Sequence, residues 1–382
     1  MLSSFVSFAS LSYWKPRGSS FLIIGLKYFK QYEIVFVDKM QTEDSLQKDY
    51  ITDLPQCIIE TILTKLPLRD AVRTSLLSSK WRYKWATLTH LEFDDKCESE
   101  THDRSPLEIN LVIFISRFLL IHDGPINKFS LSTSNIQSSP ILDQWLLILS
   151  RKDVKELVLK LGEGEWFTTP SCVIKYICLE NTPKLVAITV AMYMIEDIAE
   201  HFGQSSSCNF DKFLGGVPCL QRLIGRSYFT QYMSIGNTFG KVEMMYQQLK
   251  VIELSQVSFK NMKEIMVVLR LISNAPNLHE LQIAGSSDPL SAELPDLDFW
   301  ENECPFDCTF ERLKIVKMMD MFGFPHEVGF IGYLLRNSPV LETMSITPSV
   351  YMTEDVLSFL IELTRFQRAS TKAEMIFGQN WV

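Results

Sequence analysis

One hydrophobic phrase, apolar-x-x-apolar-x-apolar, recurs along most of the chain. It reads Ile126-Phe129-Leu131, Val154-Leu157-Leu159, Ile174-Ile177-Leu179 and Leu185-Ile188-Val190. It returns at Leu249-Ile252-Leu254, Leu278-Leu281-Ile283, Leu313-Val316-Met318 and Leu341-Met344-Ile346, with a degenerate copy at Leu220-Leu223. Pro183, Pro218, Pro276 and Pro339 each stand two residues ahead of a copy. Copies beginning at Leu220, Leu249, Leu278, Leu313 and Leu341 are spaced 29, 29, 35 and 28 residues. Helical patterns lie between some of them, as at 262–272 and 328–335. A strand and a helix every ~30 residues predict units that bury their apolar faces only by stacking on one another. The copies at Val154, Ile174 and Leu185 start 20 and 11 residues apart. Eleven residues cannot hold a strand, a helix and two turns. One of these copies is therefore not a repeat strand, or sequence is missing, with the segment 162–172 as the joint.

Ahead of the repeats, the stretch 53–85 reads as three short helices. Asp53 is placed to cap the first, Pro55 suits its opening turn, and Gln56 sits where a capping-box partner would. Ile58, Ile59, Ile62, Leu63 and Leu66 form one apolar stripe, which Pro67 ends. A second helix is expected over about 68–77, carrying Ala71, Val72 and Leu76. Ser78-Ser79 break it, and a third helix sets Trp81 and Trp85 four apart on one face. Three helices in about 35 residues bury too little surface to stand alone, so the unit must lean on another surface. A first strand is expected over 88–95, a polar loop over 96–106, and an apolar helix over 107–122 with Leu111, Ile115, Phe118 and Leu119 near one face.

The stretch Leu54-Pro55, Ile58, Ile62-Leu63, Leu66-Pro67, Asp70-Ala71, Ser75, Leu77-Ser78 and Lys80-Trp81-Arg82, with Trp85 as a plant-type addition, resembles an F-box. The resemblance implies docking on the Skp-type adaptor of a cullin-RING ubiquitin ligase. By that resemblance Leu54, Pro55, Ile58, Ile62, Leu63, Leu66, Pro67 and Trp81 are the adaptor-binding candidates. A helical hairpin packed on the body is the plain alternative. The repeats resemble leucine-rich repeats, although most copies lack the usual Asn position, so an uneven α/β arc is expected rather than a regular horseshoe. Cys308 to Lys317, Glu327, Phe330-Ile331, Leu334-Leu335, Asn337-Ser338-Pro339, Leu341-Glu342 and Met344 look like the FBD module of plant F-box proteins. A closing helix is expected from Thr353, with Val356, Leu360 and Leu363 buried, and a last strand at Met375-Ile376-Phe377. The expected domains are an N-terminal extension over 1–48, an F-box over 49–95, irregular repeats over 107–300 and an FBD module over 301–378.

Composition narrows the function. The chain of 382 residues is 46% hydrophobic and 21% charged, enough for a substantial core. Its net charge of −8, with no basic block, argues against nucleic acid as the main partner. The eight cysteines show no framework spacing, which suggests free thiols in a reducing compartment, the cytoplasm or the nucleus. The run Phe21 to Leu26 is too short to span a bilayer, and no membrane partner is expected. Residues 1–39 resemble a signal peptide only in outline, and Met40 is the expected native start. Cys304 and Cys308 form a C-x3-C pair without further metal ligands nearby beyond the isolated His279 and His326. No phosphate loop, nucleophile elbow or dinucleotide fingerprint is present, so no catalytic residue, cofactor or metal is assigned. The F-box resemblance implies a non-catalytic role: a substrate receptor that links an unidentified target protein to the ligase, or else a repeat scaffold whose F-box assembles no active ligase.

Overall fold

The computed structural model describes residues 54–77, 81–94, 97, 107–133, 139–161, 179, 182–192, 213, 216–234, 245–286, 299–300, 308–352 and 356–378. The chain divides into two compact units, 1–85 and 86–382.

The first unit opens with two helices, α1 (Gln56–Lys65) and α2 (Leu68–Arg73). Each begins behind a Leu-Pro pair. The Pro55 carbonyl accepts from Ile58 and Ile59, and the Pro67 carbonyl from Asp70 and Ala71. Proline costs nothing there, because the N–H it lacks has no partner in a helix's opening turn. Pro67 also forces Leu66 into extended backbone, which ends α1. The second helix is shorter than expected and runs on as a 3₁₀ turn, Thr74–Leu76. Thr74 and Ser75 hydroxyls turn back onto the carbonyls of Ala71 and Val72, competing with helix propagation. The expected third helix is instead a turn at 81–83 followed by a 3₁₀ segment, Lys84–Thr87. Asp53, Ser78 and Ser79 lie outside the described residues. Gln56 is not seen as a capping partner: its amide donates to Glu60 at 2.7 Å and its oxygen accepts from Lys84.

Among the described residues, the second unit is built on ten parallel strands, hydrogen-bonded in chain order. They are β1 (His90–Asp94), β2 (Lys128–Thr133), β3 (Glu156–Leu161), β4 (Ala187–Met192), β5 (Arg222–Arg226), β6 (Val251–Val257), β7 (Glu280–Gly285), β8 (Ile315–Met321), β9 (Thr343–Pro348) and β10 (Glu374–Phe377). Helices fill several crossovers. They are α3 (Leu107–Ile121), α4 (Ser139–Ser150), α5 (Phe229–Met233), α6 (Met262–Ser273), α7 (Pro325–Asn337) and α8 (Val356–Thr364). From β1 to β9 burial alternates along the strands, except at the end of β4 where Val190, Ala191 and Met192 are all buried, so one face of the sheet is covered and the other more open.

The covered face is made by the second and third apolar positions of the repeated phrase. Phe129 and Leu131, Leu157 and Leu159, Ile188 and Val190, Leu281 and Ile283, and Met344 and Ile346 are all buried. The first position belongs to a turn. Leu185, Leu220, Leu249, Leu278, Leu313 and Leu341 each donate their N–H to the carbonyl three residues back, at 3.0–3.4 Å. Pro183, Pro218, Pro276 and Pro339 occupy the second place of those turns, where their fixed φ is already right. Between β1 and β9, one carbonyl then takes two N–H groups from the next unit at each step, as Lys250 does from His279 and Glu280.

The crowded copies at 154, 174 and 185 resolve simply. Strand β3 pairs directly with β4 in register Leu157↔Ile188, so the copy at Ile174 places no strand between them. Residues 162–178 lie outside the described residues. So do residues 1–53 and the loop residues 98–106.

Two acidic residues tie helix starts to strand ends. Glu327 accepts from the backbone N–H groups of Phe322, Gly323 and Phe324 at 2.8, 2.7 and 3.1 Å. Glu264 accepts from Ser258 N at 3.2 Å and from the Thr230 hydroxyl at 2.7 Å. Both close a bend that follows a left-handed residue, Asp320 (φ 53) and Gln256 (φ 60), where the β8–β9 and β6–β7 registers slip. In α8 the buried pair is Phe359 and Leu363, with Leu360 half-buried and Val356 exposed. The stripe is thus rotated from the expected Val356-Leu360-Leu363, because Phe359 buries a larger apolar surface than Val356 would.

On the open face, Lys128 pairs with Glu92 at 3.1 Å and Lys314 with Glu342 at 2.7 Å. The Lys317 ammonium, 2.9 Å from Glu280, holds that carboxyl below the ordinary range against the opposing effect of burial.

Candidate adaptor-docking surface

The apolar stripe of α1 separates into two rows. Ile59 and Leu63, four apart, are buried and share the interior of their unit with Leu68, Ala71 and Trp81. Ile58 and Ile62, also four apart, are 44% and 36% exposed. Leu54 and Leu66 are half-buried, and Pro55 and Pro67 are exposed. The eight candidates therefore fall into two sets. Leu54, Pro55, Ile58, Ile62, Leu66 and Pro67 present surface from one helix and its two flanking Leu-Pro pairs. Leu63 and Trp81, each 1% exposed, offer no surface.

Ile58 and Ile62 leave neighbouring apolar area in water on one helix face, a surface that a docking partner could cover. The rim is polar. Arg73 bonds Asp70 at 3.1 Å, and Lys84 ties the 3₁₀ segment to Gln56 at the start of α1. Trp85 donates its indole N–H to the Arg82 carbonyl at 3.1 Å. Leu77 and Tyr83 are further exposed apolar side chains of this unit that were not among the contact candidates. No periodicity marks them, since Leu77 ends a 3₁₀ turn and Tyr83 lies in a turn.

Among the described residues no cluster of three or more His, Cys, Asp or Glu could hold a metal ion. Cys308 is half-buried with its Sγ 3.2 Å from the Tyr333 hydroxyl, while Cys304 lies outside the described residues. His326 is buried, and its Nδ1 accepts from the Trp300 indole at 2.9 Å. No helix among the described residues is long and apolar enough to cross a membrane.

Comparison with known sequences gives this chain its family. The F-box domain family matches residues 51–91, and the FBD family matches residues 301–346. An F-box/FBD/LRR-repeat protein of Arabidopsis thaliana is 42% identical, over 87% of this chain and 99% of its own length. An F-box/LRR-repeat protein from the same plant is 30% identical over 47% of the chain and 37% of its own length. A second F-box/FBD/LRR-repeat protein is 26% identical over 64% of the chain and 55% of its own. The chain belongs to the F-box/FBD/LRR-repeat family. The 42% alignment runs over 414 positions, of which 87% of 382 residues, or about 332, come from this chain. About 82 positions of that relative thus have no counterpart here.

Proposed function

We propose that this chain is a substrate-recognition subunit of a Skp–cullin–F-box ubiquitin ligase. In this reading the F-box, 49–95, docks on a Skp-type adaptor and through it on a cullin-RING ligase. The body, an irregular leucine-rich-repeat arc over 107–300 closed by an FBD module over 301–378, binds a target protein. The chain performs no bond chemistry. It raises the effective concentration of the target at the charged ubiquitin carrier. Its place of action is the cytoplasm, the nucleus or both.

The observation that carries the reading is the exposed Ile58–Ile62 row within a segment that matches the F-box family. Leu54, Pro55, Ile58, Ile62, Leu66 and Pro67 are assigned as direct contacts, and Leu63 and Trp81 as the residues that fix the helix. Buried aliphatic anchors at the centre of such an interface supply most of its energy.

The test is co-purification of the full chain with the Skp adaptor and cullin, beside an Ile58→Asp/Ile62→Asp variant. Both positions are already exposed, so the variant should melt within a degree or two of the wild type while adaptor binding falls at least a hundredfold. Equal binding by both proteins would remove these residues from the site. Adaptor binding without cullin would favour the scaffold reading over the ligase one.

A further inference from the structure

The two ends of the sheet are finished differently. At β1 the inward side chains Leu91 and Phe93 are buried, and the outward positions are His90, Glu92 and Asp94. At β10 the inward side chains Met375 and Phe377 remain half-buried, although they pair with the fully buried Met344 and Ile346 of β9. Ile376, on the other face, is 44% exposed. Sheet edges are usually blunted by charge, proline or a bulge. The run Met375-Ile376-Phe377 has none of these.

The backbone of β10 is also half-used. Glu374 N donates to Glu342 O and Gly378 N to Ile346 O, both at 2.9 Å. In a parallel ladder alternate residues bond to the same neighbour, so 374, 376 and 378 face β9. The N–H and C=O groups of Met375 and Phe377 therefore point away from the sheet, and among the described residues no strand meets them. One more strand laid there would take up four backbone hydrogen bonds and finish the cover over Met375 and Phe377.

We propose that the free edge of β10 binds an extended peptide segment of a partner protein by strand addition, independently of adaptor docking. The peptide recognised is short, about four to six residues, with apolar side chains at alternate positions to lie beside Met375 and Phe377. The size of the edge selects this occupant over a second copy of the chain. Two four-residue edges meeting across a two-fold axis would bury far less than the ~1,600 Å² typical of a stable dimer.

The experiment selects peptides from a displayed library of random octapeptides on the full chain and follows one synthetic winner by residue-resolved amide exchange. Without peptide, the amides of Met375 and Phe377 should exchange rapidly while those of Ile376 and Gly378 are protected. Bound peptide should slow Met375 and Phe377 at least tenfold. Met375→Pro removes an outward N–H, which an edge strand tolerates, together with a half-buried side chain. Met375→Ala removes the side chain and keeps the N–H, and the proline variant should bind at least tenfold more weakly than the alanine one at a similar melting temperature. Phe377→Pro serves the same purpose should the first variant not fold. The proposal is overturned if no peptide is enriched, or if the winners leave those two amides unchanged or bind the folded proline variant equally well. It is also overturned if both amides are already protected in the isolated chain. Protection independent of concentration would then mean that the chain's own residues close the edge, and protection that rises with concentration would mean that a second copy does.

Discussion

At the scale of single residues, the tightest constraints lie where a missing or polar side chain meets a packed wall. Gly329 lies on α7 under the Trp300 ring, and a Cβ there would sit 2.3 Å from the indole Cδ1. Alanine in a helix gains up to ~1 kcal/mol over glycine, but overpacking a filled interior costs ~1–3 kcal/mol. The clash wins, so Gly329→Ala is expected to lose about 1 kcal/mol in urea titration and to shift the Trp300 fluorescence. His122 is buried, donating Nε2–H to the Leu88 carbonyl at 2.8 Å, and its Nδ1 has no partner among the described residues. Burial holds its pKa below the ordinary histidine value. The Lys152 cation, whose ammonium bonds the His122 carbonyl, adds to this, and the Leu88 bond and Asp123 oppose it. The unfolded chain therefore binds a proton that the folded chain refuses. This contribution to stability is complete above about pH 6.5 and is lost progressively as the pH falls below it. His122→Gln should flatten the acid limb of a plot of stability against pH below about 6.5.

At the scale of elements, sequence periodicity showed that α1 is apolar on one side, but not which half of that side is covered. Ile58 and Ile59 are adjacent and chemically identical, and only packing separates them. Ile59→Ala is expected to cost about 2–5 kcal/mol, since it opens a cavity in the interior of its unit. Ile58→Ala should stay within ~0.5 kcal/mol. Calorimetry of the two variants separates the buried row from the exposed one. The lengths of α2 and of the 81–87 segment were illegible for a related reason. Thr74 and Ser75 can satisfy nearby carbonyls with their own hydroxyls, so a helix-like pattern there ends in 3₁₀ turns. The shift of the α8 stripe toward Phe359 has the same origin in packing.

At the scale of the whole chain, the second unit is a sheet in which every strand bonds only to its neighbours in sequence. Coupling along it passes from one strand to the next. Ending the chain after Phe366 removes β10 and uncovers Met344 and Ile346 on β9. Amide exchange is then expected to accelerate in β9 and α7 while β2 and β3 keep their protection. Equal acceleration throughout would show a sheet that opens as one piece. The crowded region after β3 belongs to this scale too. There β3 pairs directly with β4, so the copy at Ile174 adds no strand between them.

What the sequence determined by itself is what depends on local chemistry and on period. The repeated phrase placed eight of the ten described strands, because alternate apolar burial leaves the backbone little choice, and four of its copies carry a proline of fixed φ in the turn before the strand. The Leu-Pro pairs set the starts of α1 and α2 for the same reason. Tertiary structure alone decided which isoleucines stay exposed, that the copy at Ile174 places no strand between β3 and β4, and that among the described residues β10 is the last strand of the sheet. Each of these depends on which neighbour lies against a residue, and a neighbour distant in sequence leaves no mark on local periodicity.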